Sequence, residues 1–468
     1  MDAPLYNRIK ELTGSQTYPL HMPGHKRNLN FIEDTLLNLD VTEIDGTDNM
    51  HHPREVILQA EEKLAELNSC DKALFLVNGG SSGILTAILG TVGEGDKIIV
   101  GRNAHKSVHN GLVLSGATPV YVYPEVLSSA ILGGITPDNL NQAFKAYPDT
   151  KAVIVTSPTY EGFICDIKAL AEIAHKNNAI LIVDETHGAH FPFSKSFPQS
   201  AMEAGADISI NSWHKTLPCP NQSAVINLKL KRLDLSRLTE AYSMVQTTSP
   251  SYIMMSIMDK VRGVLTENRQ IFDEYIDSLR KARDMLKNLK GLRLIDNSTF
   301  SSESTVDYDI SKLVILTGKN FSGKALAQIL LKEYNIQIEL AAPDYIIAMT
   351  SVADTALGLF GFAKAICEID KGLPYFEPSV TVKCNADINC PVSSPRKAFY
   401  AKTKYTSLES SVGFVAGECI TPFPPDIPLI LTGEKITKEH LEQIKIYRKL
   451  GITLLGGQNG KIKIIEEN

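Results

Sequence analysis

The sequence lacks the features of membrane, disulfide-rich and nucleic-acid-binding proteins. No apolar run approaches the roughly 18 residues that a membrane span needs, and the first residues carry no basic segment followed by an apolar core, as a secretory signal would. The seven cysteines are scattered and form no C-x-x-C pair, which argues against a disulfide framework or a zinc ribbon. With 47 basic and 53 acidic residues, the formal charge is −6, without a basic excess. We therefore expect a soluble cytoplasmic protein with no nucleic-acid or membrane partner.

The hydrophobic pattern divides the 468 residues into three parts. Residues 1–53 are irregular and rich in Pro, Gly, His and Asp, which predicts an N-terminal arm. Residues 54–295 alternate short apolar segments with helical patterns, which is typical of a mainly parallel sheet covered by helices on both faces. Residues 296–468 predict one or more smaller C-terminal α+β domains. The predicted fold class is α/β, with a large domain followed by a smaller one.

The individual elements can be placed from their periodicity. Strands are predicted in the large domain at residues 73–77, 97–100, 118–123, 152–156, 179–183 and 206–211. Helices are predicted at residues 54–67, 84–89, 167–175 and, as one or two long helices, 251–285. In the last part, apolar segments at residues 313–317, 336–340 and 345–349 accompany helices at 324–333 and 438–450.

Polar clusters follow several of these strands, and three of them suit one cofactor. Lys215 comes directly after one strand, and Asp184 closes another. Residues 79–83 (Gly-Gly-Ser-Ser-Gly) lie between a strand and a helix, where backbone N–H groups can cradle a phosphate. A lysine that binds the aldehyde, an acid that pairs with the pyridine nitrogen and a phosphate cradle are what pyridoxal 5'-phosphate (PLP) needs. Each feature alone has an ordinary explanation: a surface lysine, a helix-capping Asp or a turn.

With these features together, the sequence resembles the PLP-dependent ornithine/lysine/arginine decarboxylases of the aspartate-aminotransferase fold. The resemblance covers nearly the whole chain, without the additional N-terminal domain of the large ring-forming members. The matching segments are residues 21–26, 45–53, 77–84, 103–107, 157–162, 183–190, 212–218, 247–252 and 422–428. The expected activity is decarboxylation of lysine, arginine or ornithine to the corresponding amine, with lysine and arginine preferred.

The resemblance implies a role for each matching site residue. Lys215 would form the Schiff base, Asp184 would pair with the pyridine nitrogen and His105 would stack on the cofactor ring. His187 would face the ring oxygen or the substrate carboxylate, while His190 is expected to be catalytic or structural. Phosphate contacts are expected from Ser81, Ser82, Ser212, His214 and, in the neighbouring subunit, Thr247.

The role of Thr247 predicts a homodimer or a dimer of dimers with shared active sites. Glu418 matches the acidic residue that pairs with the distal cation of a basic substrate, and Glu161 and Asp48 are alternatives for that task. No metal site is expected, because neither His105 with His109 nor His187 with His190 occurs in a metal-binding frame.

Three positions differ from the family pattern. Thr186 stands where alanine is usual, Pro220 replaces a smaller or polar residue, and Asp426 replaces the glycine of a Pro-Pro-Gly segment. The Thr186 hydroxyl could crowd the ring or bond to it. Two alternatives therefore stay open: another PLP reaction on a basic amino acid, such as transamination, elimination or cyclisation, and a PLP-binding homologue without turnover.

Overall fold

The computed structural model describes residues 16, 18–20, 41–43, 46–128, 131–300, 302–379, 390–423, 427–449, 453–458 and 460–466. The β-strands of this part of the chain are β1 Tyr18–Leu20, β2 Lys72–Leu76, β3 Lys97–Gly101, β4 Thr118–Val122, β5 Thr150–Thr156, β6 Phe163–Cys165, β7 Ile180–Asp184, β8 Ile208–Ser212, β9 Ala224–Leu228, β10 Arg293–Leu294, β11 Thr305–Tyr308, β12 Lys312–Leu316, β13 Ile336–Ile338, β14 Leu340–Ala341, β15 Tyr345–Met349, β16 Thr403–Ser407, β17 Thr421–Phe423, β18 Thr453–Leu455 and β19 Lys461–Ile465.

The α-helices of the same residues are α1 Val56–Leu67, α2 Gly79–Thr91, α3 Lys106–Ser115, α4 Pro137–Ala146, α5 Ile167–Lys176, α6 Trp213–Thr216, α7 Leu235–Val245, α8 Tyr252–Glu267, α9 Gln270–Met285, α10 Gly323–Tyr334, α11 Ala356–Asp370, α12 Pro395–Tyr400 and α13 Lys438–Lys449. No helix among the described residues is both long and apolar enough to span a bilayer.

A seven-stranded sheet in the order β2-β9-β8-β7-β5-β3-β4 forms the centre of the large domain. Six strands run parallel, and β9 is antiparallel to both of its neighbours. Successive side chains enter different cores, because strand residues alternate between the two faces: Ile98 and Val100 pack on one face and Ile99 on the other. The carboxyl ends of β5, β7 and β8 lie side by side, at the edge where such sheets bind ligands.

The remaining strands form smaller sheets around this centre. An antiparallel sheet in the order β10-β12-β15-β14 builds a second core, and the pairs β11-β6 and β1-β13 connect distant parts of the chain. Two further antiparallel pairs, β16-β19 and β17-β18, belong to the last part of the chain. That part has a separate core, which includes Ile430, Ile436 and Ile444.

The predicted pattern of the large domain is confirmed, with ends that shift by one or two residues in most of the predicted strands. The segment 251–285 is two helices, α8 and α9. The prediction of a loop at residues 79–83 is wrong, since helix α2 begins at Gly79. The hydrophobic pattern also missed β9 and α11. It missed the strands β16 to β19 as well, whose segments contain few apolar residues. The boundaries at residues 53 and 295 remain predictions, and the segments 21–26 and 424–426, with Asp426, lie outside the described residues.

Candidate functional site

A cleft with a volume of about 1830 Å³ opens at the carboxyl ends of the central strands. One wall comes from the large domain, including the residues after β5, β7 and β8. The opposite wall comes from α10 and the segment 337–345, and a third comes from residues 427–447 of the last part. Sequence elements far apart along the chain therefore meet in one cavity, as expected for a parallel sheet with a neighbouring smaller domain.

Lys215 lies in the short helix α6, directly after β8, and lines this cleft. Its Nζ atom is 3.0 Å from His187 Nε2 and donates a hydrogen bond to Thr186 Oγ1 at 3.4 Å. Burial lowers the pKa of the Lys215 ammonium, while the charges of Asp184 and Glu339 oppose this shift. A lowered pKa enlarges the neutral fraction of the amine, which is the form that attacks a carbonyl group.

His187 connects Lys215 to the aromatic wall of the cleft. The His187 ring contacts the Tyr160 ring edge-on, with centroids 5.0 Å apart. Burial lowers the pKa of His187 well below its usual range, and the charge of Lys215 lowers it further. The imidazole is therefore neutral near pH 7. Its Nδ1 atom is buried without a hydrogen-bond partner among the residues that the structure describes.

Asp184 is the last residue of β7, and its side chain is buried at the floor of the cleft. One carboxylate oxygen accepts the backbone N–H of Thr186 at 3.3 Å. Because β7 and β8 are adjacent parallel strands, with Asp184 opposite Ile210, the residues that follow both strands meet. This topology explains why Asp184 and Lys215 come together despite their separation in sequence.

The first turn of α2 packs tightly against the residues after β7 and β8. A Cβ atom at Gly80 would lie 2.6 Å from Ser212 Oγ and 2.9 Å from a methyl group of Thr186. A Cβ atom at Gly83 would meet Leu76 at 2.7 Å. Glycine has low helix propensity, which is why the pattern favoured a loop. The close approach requires glycine here, and tertiary packing makes these residues helical.

The two serines of this turn have different environments. Ser81 is exposed and lines the cleft. Ser82 is buried outside the cleft, where its hydroxyl donates to the Gly79 carbonyl at 2.7 Å and accepts from Gln246 Nε2 at 2.8 Å. The expectation of a phosphate contact from the Ser82 hydroxyl is thus corrected, since that hydroxyl already serves helix packing. The helix N-terminus and Ser81 remain available to an anion.

Ser212 and His214 also line the cleft. Ser212 closes β8, and its backbone N–H donates to the Thr186 carbonyl at 3.2 Å. The His214 ring lies 3.1 Å from the Ser223 carbonyl through Nδ1. Burial lowers the pKa of His214 to about 4, so the ring is neutral near pH 7. Since a carbonyl oxygen only accepts, the single N–H of the neutral ring lies on Nδ1 and donates to Ser223, so Nε2 presents a lone pair to the cleft.

His105 lies on the same wall of the cleft, at the N-terminus of α3. Its Nδ1 atom accepts the backbone N–H of Ser107 at 3.2 Å and lies 2.8 Å from the Ser107 hydroxyl. These contacts fix the orientation of the ring at a helix cap. The His105 ring is therefore already held in one position inside the cleft, as stacking on a cofactor ring would require.

Two pairs of phenol and carboxylate join the large domain to the opposite wall. The Tyr160 hydroxyl donates to Glu339 at 2.7 Å, and the Tyr345 hydroxyl donates to Glu161 at 2.7 Å. Both carboxylates line the cleft, and burial raises the pKa of Glu161. The sequence analysis considered Glu161 but missed Glu339, which follows β13 and has no motif around it.

Two predicted site residues lie away from the cleft of their own chain. The Glu418 carboxylate accepts the backbone N–H of Lys463 at 2.7 Å and does not line the cleft. The carboxylate thus serves the strand β19 in this chain, and the predicted contact of Glu418 with a distal cation stays a prediction. Thr247 is half-buried beyond α7, with its hydroxyl 3.2 Å from that of Ser249. Its predicted contact is to a neighbouring subunit and stays a prediction.

Asp48, the other alternative for the distal carboxylate, is likewise outside the cleft. Its carboxylate accepts the backbone N–H groups of residues 54, 55 and 57 at 2.7–3.1 Å. It thereby satisfies donors at the beginning of α1, which a helix leaves unpaired. His190 is buried outside the cleft too, 3.2 Å from the Asp309 carboxylate, as its structural alternative predicted.

A buried ion pair attaches the last part of the chain to the base of the cleft. Arg102 follows β3, lies 3.0 Å from Glu434 and donates to the carbonyls of residues 428 and 429.

Removing one partner of the Arg102–Glu434 pair leaves a buried charge uncompensated. We expect Glu434→Gln to lower the free energy of unfolding by about 3 kcal/mol, measured by denaturant titration. The exposed pair Asp284–Lys287 supplies the control: Asp284→Asn should cost less than about 1 kcal/mol.

The donor set of the cleft fits PLP. It provides a half-buried amine at Lys215, a buried carboxylate at Asp184, a helix N-terminus with the Ser81 hydroxyl, and an unpaired ring nitrogen at His187. These groups are of the types that a pyridine aldehyde with a phosphate requires. They also lie in one cavity, which the sequence could only suggest.

Comparisons with known proteins identify the family. Residues 3–314 match the family model described as the Orn/Lys/Arg decarboxylase major domain. An arginine decarboxylase of Halalkalibacterium halodurans is 34% identical, over 99% of this chain and 98% of that protein, and one of Bacillus subtilis is 32% identical, over 99% and 97%. The Francisella novicida lysine decarboxylase shares the fold, with a TM-score of 0.76 at 18% identity over 99% of this chain and 81% of that one. The chain therefore belongs to the Orn/Lys/Arg decarboxylase family and is an amino-acid decarboxylase, a carbon–carbon lyase.

Proposed function

We propose that the protein decarboxylates a basic L-amino acid with PLP bound through Lys215. The observation that carries this proposal is the position of Lys215 Nζ, 3.0 Å from a neutral His187 and within the field of the buried Asp184. The family supports PLP as the cofactor. Among basic amino acids we favour arginine, because two relatives that align over almost their whole length are named arginine decarboxylases.

Each residue of the cleft has a task in this proposal. Lys215 would bind the cofactor aldehyde, and Asp184 would hold a proton on the pyridine nitrogen. When bound, PLP supplies an electron sink for the pair left at Cα as CO2 departs. Lys215 Nζ and His187 Nε2 lie within hydrogen-bond distance of one another, so they would move the proton that returns to Cα. The phosphate would lie at the N-terminus of α2, near Ser81.

Two carboxylates, one on each of the two facing walls, support a substrate with a cationic side chain. Glu339 and Glu161 present carboxylates to the cleft, and each is oriented by a tyrosine hydroxyl at 2.7 Å. A carboxylate with a fixed orientation can pair with an ammonium or a guanidinium group. These two residues take the place that the sequence analysis gave to Glu418.

We further propose that the active sites are shared within a homodimer or a dimer of dimers. Thr247 supports this proposal, because its family counterpart reaches the phosphate of the neighbouring subunit and Thr247 does not line the cleft of its own chain. The contact between His51 Nε2 and the Thr247 carbonyl, at 2.9 Å, holds this segment beside the residues that precede α1.

The test of function is CO2 release by purified protein supplied with PLP. We expect CO2 from arginine, and to a smaller extent from lysine or ornithine, with agmatine, cadaverine or putrescine as the amine product. Neutral amino acids of similar length serve as substrate controls, because they lack only the distal cation. A keto acid or a cyclic product without CO2 would instead support the alternative PLP reactions. A cofactor absorbance unchanged by every amino acid would support binding without turnover.

A further inference from the structure

A sealed ionic cluster lies directly behind the cleft, outside its lining. Lys312 Nζ is 3.0 Å from Asp309 Oδ2, and both side chains are 0% exposed. His190 Nε2 is 3.2 Å from the other carboxylate oxygen of Asp309. The Ser311 hydroxyl donates to the carboxylate at 2.8 Å and completes its shell. Apolar residues of similar volume often stabilise a protein as well as a buried ion pair does, so the cluster is better explained by a role in the site.

The cluster holds two segments that carry side chains of the cleft. The Asp309 backbone N–H donates to the Gly162 carbonyl at 2.8 Å, two residues after Tyr160. His190 is three residues after His187, on the short segment that follows β7. A movement of Asp309 would therefore displace both Tyr160 and His187, whose rings are in contact.

The charged groups around His187 shift its pKa in both directions. After burial, the charges of Lys215 and Lys312 lower the pKa of His187, and His214 adds to the same shift. Asp309 acts in the opposite direction. The neighbouring Tyr160 is neutral, since burial raises its pKa well above the usual range.

The charge of Lys312 also lowers the pKa of Lys215. Burial lowers the pKa of Lys215, Asp184 and Glu339 raise it, and Lys312 lowers it. Lys312 is thus a charge outside the cleft that acts on both members of the Lys215–His187 pair in the same direction. Asp309 and His190 hold it in place.

We propose that Lys312 is a positioning residue, which fixes the His187 segment through Asp309 and His190. The inference deepens the proposed function, because it assumes that Lys215 and His187 are the reactive pair. Lys312 touches neither substrate nor cofactor in this scheme. It acts by geometry and by its charge behind the His187 ring.

The main test is the double variant Asp309→Asn with Lys312→Met, which leaves no buried charge unpaired. Since the loss of Lys312 removes a charge that lowers the pKa of Lys215, that pKa should rise. The readout is the pH dependence of Lys215 labelling by an amine-reactive reagent, followed by peptide mass spectrometry. With PLP bound, the pH midpoint of the visible absorbance should shift in the same direction.

Arg283→Met is the matched control. Arg283 is also a buried cation and donates to the carbonyls of residues 295, 310 and 312. Its charge is not among the main causes that shift the pKa of His187 or Lys215. It should lower the thermal midpoint and leave the pH midpoint of labelling unchanged. Lys312→Arg keeps the positive charge, so its labelling midpoint should stay like that of the original chain.

A folded double variant with an unchanged labelling midpoint would overturn the proposal. Should that variant not fold, Lys312→Gln is labelled in the same way, since it removes the same charge and leaves an amide beside Asp309. NMR of labelled histidine then compares the pKa of His187 in Lys312→Gln and Lys312→Arg: it should be higher in Lys312→Gln, and equal values would refute the proposal. Labelling and NMR need neither cofactor nor substrate, so a failure of arginine decarboxylation would be recognised separately.

Discussion

Lys215→Ala is expected to reduce CO2 release by about 10³-fold or more. The variant removes the amine that lies 3.0 Å from His187 Nε2, together with its hydrogen bond to Thr186. It should also lose the visible absorbance of covalently held PLP, while it retains the fold, because Lys215 follows the strand and is not part of its core. Activity with arginine and the absorbance spectrum measure the two effects independently.

Lys176→Ala is the matched control for this experiment. Lys176 also follows a histidine, but it is exposed at the end of α5 and does not line the cleft. Its loss should leave CO2 release within about twofold. Lys215→Arg separates charge from nucleophilicity, because arginine stays protonated; we expect it to be as inactive as the alanine variant. An active Lys215→Ala protein would exclude the assigned lysine.

The central residues of the site could be predicted because local sequence determines their position. Asp184 and Lys215 each follow an apolar strand directly, and neighbouring parallel strands end at the same edge of the sheet. The order of strand, polar residue and helix is therefore sufficient to place both at one edge. His187 and Ser212, which were predicted from the resemblance to the family, also line the cleft.

The distal part of the site could not be predicted in this way. Glu339 and Tyr345 enter the cleft through the packing of the second sheet against the large domain, and no local pattern encodes that contact. Glu418 matched a family segment, yet its carboxylate binds the backbone of Lys463. Ser82 was predicted from its match to a family position, whereas helix α2 turns its hydroxyl inward. These outcomes depend on side-chain direction and tertiary packing.

Asp184→Asn is expected to lower kcat strongly, because it removes a buried negative charge from the cleft. Asp184→Asn keeps the volume of the side chain and an oxygen that can accept the Thr186 N–H, now 3.3 Å away. It removes the negative charge that would hold a proton on the pyridine nitrogen and that raises the pKa of Lys215. We expect kcat to fall by about 10²- to 10³-fold, because preorganised charge stabilises the transition state most strongly in a buried site.

The matched control is Asp207→Asn, at the opposite edge of the same sheet. Asp207 is also buried, immediately before β8, and binds His175 Nε2 at 2.8 Å and the Leu181 N–H at 2.9 Å. Its substitution should lower the thermal midpoint and leave kcat nearly unchanged, whereas Asp184→Asn should lower kcat with a smaller loss of stability. Equal effects of the two variants on kcat would show that Asp184 acts only through the fold. A kcat for Asp184→Asn within about threefold of the original would contradict its assignment as the cofactor's acid, because the charge is then dispensable.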